Sequence, residues 1–266
     1  MNSKYFTVEL EPRFTPGQII QNNKADLPFS TQDLVFDWQE FSIPNCGVLL
    51  RDINIVVRGE DGSPQTARDY VFYFARTVDG VAPGSLGTPN ATANGVGYYR
   101  HLIGCALVDS TDYKIGLDYI SMASTGHGAA ANHTPNLVLE GEHRSSHHQD
   151  SRTSVVGFDK IYMGLIAGAA NTHDFSTGVL LNQVGGQAGD VSTLTTLTVD
   201  GTAANKVFAV GDVLGAAGGS AFKNIGTVKE IVSATSIKVD GVTDTLADDD
   251  EIVNLTPLKI ILSLEV

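Results

Sequence analysis

The chain has 266 residues, 42% of them hydrophobic and 18% charged, so it is long enough to bury one large core or two modest ones. Its formal net charge of −13 disfavours direct nucleic-acid binding, because an acidic surface repels phosphates and gains nothing from counterion release. No stretch approaches the roughly 18 apolar residues of a membrane span and no apolar signal core is present, so we expect a soluble protein made in a cytoplasm, with no membrane partner.

Predicted strands dominate the first 182 residues. Residues 5–10 alternate between apolar and polar side chains, as a half-buried strand does, and residues 33–43 show the same period. The runs 48–58 and 70–76 have strong strand propensity and are predicted to form an antiparallel hairpin. Further strands are predicted at 98–107, 115–122, 137–139, 158–167 and 178–181.

Long polar segments separate these strands. Residues 79–97 and 124–154 are rich in small or polar residues and are predicted to be surface excursions. Residues 11–32 form an arm with separated apolar anchors, namely Phe14, Ile19, Ile20, Leu27 and Phe29. The arm has no helical or strand period, so it either lies along the surface of another subunit or packs as an ordinary loop.

These features together predict the fold class of the first part. About eight strands with long loops and no amphipathic helix are typical of a jelly-roll-like β-sandwich. Residues 70–74 are apolar on both faces of their strand. This pattern indicates either a strand covered on both sides or a contact between subunits.

The composition changes near residue 183. From there to residue 266 the chain consists of short Val, Ile, Leu and Thr runs with Gly and Asp, and its only aromatic residues are Phe208 and Phe222. Strands are predicted at 194–199, 207–214, 225–232, 236–239 and 258–264, with turns at 200–201 and 240–241. We therefore predict an all-β protein with a sandwich domain at 1–182 and a small β-barrel domain at 183–266. The last strand either closes that barrel or returns to the first domain.

Two cysteines, Cys46 and Cys105, lie in apolar stretches. Two cysteines in a chain of this length do not make a disulfide framework, so we expect buried free thiols. A single bridge between them remains open.

A histidine-rich segment is the main candidate for chemistry. His143, His147 and His148 lie near Glu142 and Asp150 and could hold a zinc or nickel ion. They lie in a polar segment without rigid ligand spacing, which favours a solvated loop. The chain has no Gly-x-Ser-x-Gly nucleophile motif and no phosphate-binding loop, so we expect a protein that is not an enzyme and that needs no cofactor.

Several segments resemble virion structural proteins of marine tailed phages, in particular cyanophage-like myoviruses. The segments that carry this resemblance are Asp33–Phe41, Arg68–Arg76, Gly87–Gly95 with Tyr98, Tyr99 and Arg100, and Gly126–Asn132. The part after residue 183 resembles small β-barrel modules of phage capsid, decoration and tail proteins.

The resemblance implies a capsid decoration or cement protein that binds the outer surface of the major capsid protein lattice and stabilises the head. It further implies a homotrimer on the exterior of the virion, made in the host cytoplasm. We expect the arm anchors, together with Tyr98 and Tyr99, to form the interface.

Two alternatives remain open from the sequence. The first is a neck, tail or fibre-associated protein whose barrel binds the host surface. The second is a metal-dependent enzyme that uses the histidine-rich segment.

Overall fold

A computed structural model describes most of the chain. The described residues are 4–14, 29–44, 47–58, 68–117, 120–125, 134–142, 159–168, 179–180, 195–201, 204–218, 221–241 and 244–266.

Nearly all the regular structure in these residues is β-strand. The strands are β1 (Tyr5–Leu10), β2 (Leu34–Ser42), β3 (Val48–Arg58), β4 (Tyr70–Arg76), β5 (Leu102–Val108), β6 (Tyr113–Leu117), β7 (Ile120–Ser124), β8 (Leu137–Leu139), β9 (Lys160–Ala167), β10 (Val179–Leu180), β11 (Thr195–Thr198), β12 (Val213–Gly218), β13 (Ala221–Ser233), β14 (Ser236–Val239), β15 (Glu251–Asn254) and β16 (Leu258–Glu265). Short helical turns occur at Val96–Tyr98, Ser110–Asp112 and Ala204–Val207. The predicted all-β class is confirmed.

The strand pairing is that of a long antiparallel hairpin folded over on itself. Going inward from its ends, β1 pairs with β16, β2 with β9, β3 with β7 and β8, and β4 with β5. Folding this ribbon also places β16 beside β3 and β9 beside β4. The result is two facing sheets, β1-β16-β3-β7-β6 with β8 also on β3, and β2-β9-β4-β5. This is the strand order of a jelly roll, which confirms the predicted sandwich.

Alternation along each strand explains why both sheets bury one face. In β16, Leu258, Ile260, Leu262 and Leu264 are buried, and the residues between them are half-buried. β3 and β4 contribute buried side chains to the same core from opposite sheets.

The predicted hairpin between residues 48–58 and 70–76 is wrong. Each of these strands has an apolar face that packs against the other across the core, and each finds its hydrogen-bonded neighbours elsewhere. Their strand propensity could not distinguish facing strands from paired ones.

The second unit is a sheet with the order β10-β15-β12-β13-β14-β11 around its own core. The path is open, since β10 and β11 are its two ends, so the described strands do not close into the predicted barrel. The 13-residue strand β13 belongs to both halves of this sheet and changes direction near Gly226, whose φ is +121°. The predicted strand at 207–214 is wrong over most of its length, since β12 begins only at Val213. Residues 209–212 form a turn instead, in which Asp212 accepts a hydrogen bond from the Ala209 N–H (2.7 Å).

This second unit is an insertion into the jelly roll. It occupies the connection between β9 and β16, which are the seventh and eighth strand positions of the jelly roll. Strand β16 then returns to lie between β1 and β3. The Phe14 N–H donates to the Leu255 carbonyl oxygen at 2.8 Å and so joins the start of the arm to the end of the insertion. The expected domain boundary at 182/183 lies outside the described residues.

Within the described residues, no helix has the length and apolar character needed to span a membrane.

Candidate interaction surface

A single long connection covers much of the outer face of the β2-β9-β4-β5 sheet. We call residues 77–101, which join β4 to β5, the cover loop. It is hydrogen-bonded along β2: the Leu34 N–H donates to the Ala91 carbonyl oxygen (2.9 Å), and the Asn90 N–H donates to the Leu34 carbonyl oxygen (2.9 Å). The predicted surface excursion at 79–97 is therefore an ordered segment tied to the sheet edge.

Leu86 anchors the middle of the cover loop. Its side chain is buried, and it lies so close to Gly164 of β9 that a Cβ added there would be 2.5 Å from Leu86 Cδ1. The Leu86 N–H donates to Asp37 Oδ1 at 2.9 Å, and Trp38 Nε1 donates to the Gly84 carbonyl oxygen at 2.8 Å. Glycine at position 164 thus makes room for the loop.

Tyr98 fixes the end of the cover loop. Its ring meets Trp38 edge to face, with 6.3 Å between the ring centroids and 76° between the planes. Its hydroxyl donates to the Ser85 carbonyl oxygen, which ties the end of the loop to its middle.

A groove runs between the cover loop and the sheet. It encloses about 280 Å³. Tyr73 and Ile166 contribute to it from the strands, Leu86 and Tyr98 from the loop, and Asn94 adds an amide group. The groove is mostly apolar with a small polar component, which suits an apolar side chain of a partner.

Large apolar side chains stand exposed beside this groove. Val96 is 84% exposed, Tyr99 is 68% exposed and Leu102 is 37% exposed. The Arg100 guanidinium lies 5.8 Å from the centroid of the Tyr99 ring, and its Nε donates to the Tyr99 hydroxyl at 3.1 Å. Exposed apolar groups on an ordered loop are typical of a protein-binding surface.

The uncovered part of the sheet extends the apolar surface. Val71 and Tyr73 of β4 are half-buried on the outer face, whereas their neighbours Tyr70, Phe72 and Phe74 are buried in the core. The strand is therefore apolar on both faces, as the sequence indicates, and its outer face is only partly covered.

Cys105 corrects one expectation. It is a free, exposed thiol and not a buried one, because β5 is the last strand of its sheet and Cys105 points to the outer face. Cys46 lies outside the described residues.

The expected interface residues fall in different places. Tyr98 lines the groove and Tyr99 is exposed beside it. Phe14 and Phe29, in contrast, are 1% and 3% exposed within the core of the sandwich, so neither side chain is presented to a partner. The remaining anchors, Ile19, Ile20 and Leu27, lie outside the described residues.

The candidate metal ligands His143, His147 and His148 also lie outside the described residues. Their neighbour Glu142 is described, and its Oε2 accepts hydrogen bonds from the Thr77 hydroxyl (2.8 Å) and the Gly80 N–H (2.8 Å). This carboxylate therefore holds the start of the cover loop. In the part of the chain that the structure describes, no three His, Cys, Asp or Glu side chains come together as a metal site.

A buried tyrosine lies on β9, at the β2 side of the sheet. Burial and the hydrogen bond from its hydroxyl to Glu40 raise the pKa of Tyr162 to about 12. The Lys160 ammonium, 2.7 Å from Glu40 Oε1, lowers the pKa of that carboxyl. This trio stabilises the pairing of β2 with β9.

Sequence reasoning missed Leu86 and Trp38 as parts of the surface. Leu86 is a lone large apolar residue in a run of small ones, and that isolation was the available signal. Trp38 was placed on a strand, but its contact with the cover loop depends on the fold of residues 84–98.

Comparison with known proteins yields little. No protein-family model matches the chain. No curated protein is detectably similar to it in sequence.

Two solved structures align along the chain at low similarity. One is described as "Life in the extremes: atomic structure of Sulfolobus Turreted Icosahedral Virus", with 12% identity, a TM-score of 0.16 and coverage of 99% of this chain and 90% of that chain. The other is described as "Crystal Structure of the STIV MCP", with 10% identity, a TM-score of 0.13 and coverage of 99% and 96%. At these TM-scores the two matches carry no argument about the fold or function of this chain.

Proposed function

We propose that this chain is a structural protein of a virus particle, and specifically a capsid decoration protein that binds the outer surface of the major capsid lattice. The observation that carries the proposal is the ordered apolar surface formed by the cover loop on a jelly-roll scaffold. Jelly rolls occur in viral capsid domains, although the fold alone does not assign a function.

The physical features of the cover loop support a role in binding a protein. Val96 and Tyr99 would cost free energy if left in water, and the anchors at Leu86 and Tyr98 hold the loop in place before a partner arrives. Such pre-organisation reduces the entropy lost on binding. We propose a non-enzymatic role, located on the particle exterior, in which this surface contacts the lattice.

The first test is the copy number of the chain per purified virion, measured by quantitative mass spectrometry against the major capsid protein. A ratio near one, or a simple lattice fraction of one, is expected for a decoration protein. A few copies per particle would contradict decoration and favour the neck, tail or fibre alternative. Absence from the particle would overturn the virion assignment and reopen the metal-dependent enzyme, which would then be tested by metal content.

The second test locates the binding surface. Particles lacking the protein are mixed with purified wild type, Val96→Asp or Tyr99→Ala, and the bound fraction is measured by co-sedimentation. Both substitutions are expected to weaken binding by about tenfold or more, because they remove apolar area at the centre of the proposed contact. Val210→Asp is the matched control, since Val210 is 65% exposed but lies in the inserted unit. Equal binding by all four proteins would place the contact elsewhere.

A further inference from the structure

In the described part of the structure, strand β5 (Leu102–Val108) is an edge strand of its sheet. Within the described residues it pairs only with β4, and its sequence, Leu-Ile-Gly-Cys-Ala-Leu-Val, has no charged side chain. The other long edge strands of the jelly roll carry charges, with Glu9 in β1, Lys114 in β6 and Asp37 in β2. Charges on an edge strand discourage pairing with another chain, and β5 lacks this protection.

The outer side chains of β5 continue the apolar rows of the sheet. Cys105 lies opposite Tyr73, and Leu107 lies opposite Val71. Cys105 is exposed and Leu107 is half-buried. A strand added at this edge would extend both rows and would cover apolar area that is now in water.

The charged residues on either side of β5 favour a second copy of this chain as the partner and an antiparallel direction of pairing. Arg100 precedes the strand and Asp109 follows it. When two copies of β5 pair antiparallel about Cys105, Arg100 of each copy lies at the same end of the strand pair as Asp109 of the other. The two-fold axis makes this contact twice, whereas parallel pairing would bring like charges together. Elsewhere the surfaces of two chains of net charge −13 repel each other.

We propose that β5 is a self-association edge, through which two copies of this chain pair antiparallel across a two-fold axis at Cys105. Cys105 is the middle residue of the strand, so Gly104 of one copy lies opposite Ala106 of the other, and the two four-stranded sheets become one continuous sheet. The outer apolar faces of both copies then lie on the same side. This contact produces a dimer, and not the homotrimer that the resemblance implies. It does not depend on the proposed function.

The test is the oligomeric state of the purified full chain, measured by sedimentation equilibrium over a range of micromolar concentrations. The wild type is expected to form a dimer, and Leu107→Lys is expected to raise the dimer dissociation constant by about tenfold or more, because it places two lysines at the new strand pair. The matched control is Val210→Lys, at a valine that is 65% exposed and lies in the inserted unit. Circular dichroism verifies that each variant is folded.

Two further experiments keep the test decisive if Leu107→Lys misfolds. Arg100→Asp, at an exposed position outside the strand, is expected to weaken the wild-type dimer, with a smaller effect at high salt. Mild oxidation is expected to produce a covalent dimer through Cys105, which is lost in Cys105→Ser and kept in Cys46→Ser. A trimer, a monomer at every concentration, or a dimer that neither Leu107→Lys nor Arg100→Asp weakens would overturn the proposal.

Discussion

The Arg58 guanidinium at the end of β3 lies 3.0 Å from Asp212 Oδ1 in the inserted unit, and its second nitrogen donates to the Val207 carbonyl oxygen at 2.6 Å. The Asp212 side chain is about nine-tenths buried. Burial raises the pKa of Asp212, although the charge of Arg58 opposes this shift. One arginine therefore links the jelly roll to the insertion and compensates for a buried carboxylate.

Replacing Arg58 with Met should lower the free energy of unfolding by about 2 kcal/mol at neutral pH, because the buried Asp212 carboxylate loses its charged partner. An acid whose folded-state pKa is raised binds its proton more tightly in the folded state, so its ionisation costs stability as the pH rises from its unfolded pKa through its folded pKa. The loss in Arg58→Met should therefore shrink in acid, where Asp212 is protonated. Urea denaturation at about pH 7 and about pH 4 would measure this. A loss of unfolding free energy that grows in acid would contradict the role of Arg58 as the charged partner of the buried Asp212 carboxylate.

Gly226 is the position in the insertion with the least tolerance for a side chain. Its φ is +121°, and a Cβ there would lie 1.4 Å from the Asp240 carbonyl oxygen. Gly226→Ala should destabilise the protein by about 3 kcal/mol or more, since the backbone of β13 or of the facing turn must move. Gly201→Ala is the matched control: its φ is also positive at +74°, but no atom lies within 4 Å of its added Cβ, so a loss near 1 kcal/mol is expected. Thermal denaturation of both variants would show the difference, and equal losses would contradict the close approach.

Leu86→Ala should loosen the cover loop without unfolding the sandwich. The substitution leaves a gap above Gly164 at the edge of the main core, and a local loss of about 2 kcal/mol is expected. Hydrogen exchange should therefore increase at the Leu34 and Asn94 amides, which bond to or within this loop, and stay unchanged in β16. Faster exchange throughout the sandwich would instead make Leu86 part of the global core.

Removing residues 257–266 should prevent the jelly roll from forming. β16 lies between β1 and β3, so its removal leaves β1 without a partner and exposes one side of the longest strand in that sheet. An internal deletion of residues 183–254, closed by a short glycine linker, keeps β16 and should retain a cooperative transition. The two shortened proteins can be compared by circular dichroism and solubility. If the truncated chain folds and the internal deletion does not, the insertion and not β16 organises the fold.

Several parts of this structure could be predicted from the sequence because they depend on local patterns. The alternation in β1, β3 and β16 and the strand propensity of β4 identified these strands, and the number of strands and their long connections indicated a jelly roll. The alternation of β16 could not show which sheet the strand joins, since a strand of that pattern fits the edge of either unit. The same limit applies to Cys105: its apolar neighbours indicated burial, but exposure depends on β5 being the last strand in its sheet.

The candidate surface was harder to predict. Tyr98 and Tyr99 were selected, but the groove also requires Tyr73, Leu86 and Ile166, which are far apart in the sequence. Phe14 and Phe29 carry the same apolar signal as surface anchors and instead fill the core. Apolar character alone does not separate burial within the chain from burial against a partner.

The pairing of Tyr5 with Glu265 gives this fold an unusually late closing step during synthesis. The strand that completes the first sheet is made only after the inserted unit has been synthesised. Until then β1 and β3 lack β16, the strand that lies between them. The Leu and Ile side chains that they will bury stay accessible to other chains. Pairing between such distant segments is slow, since a long loop must close before the contact forms. Newly made chains should therefore be most prone to aggregate in this interval.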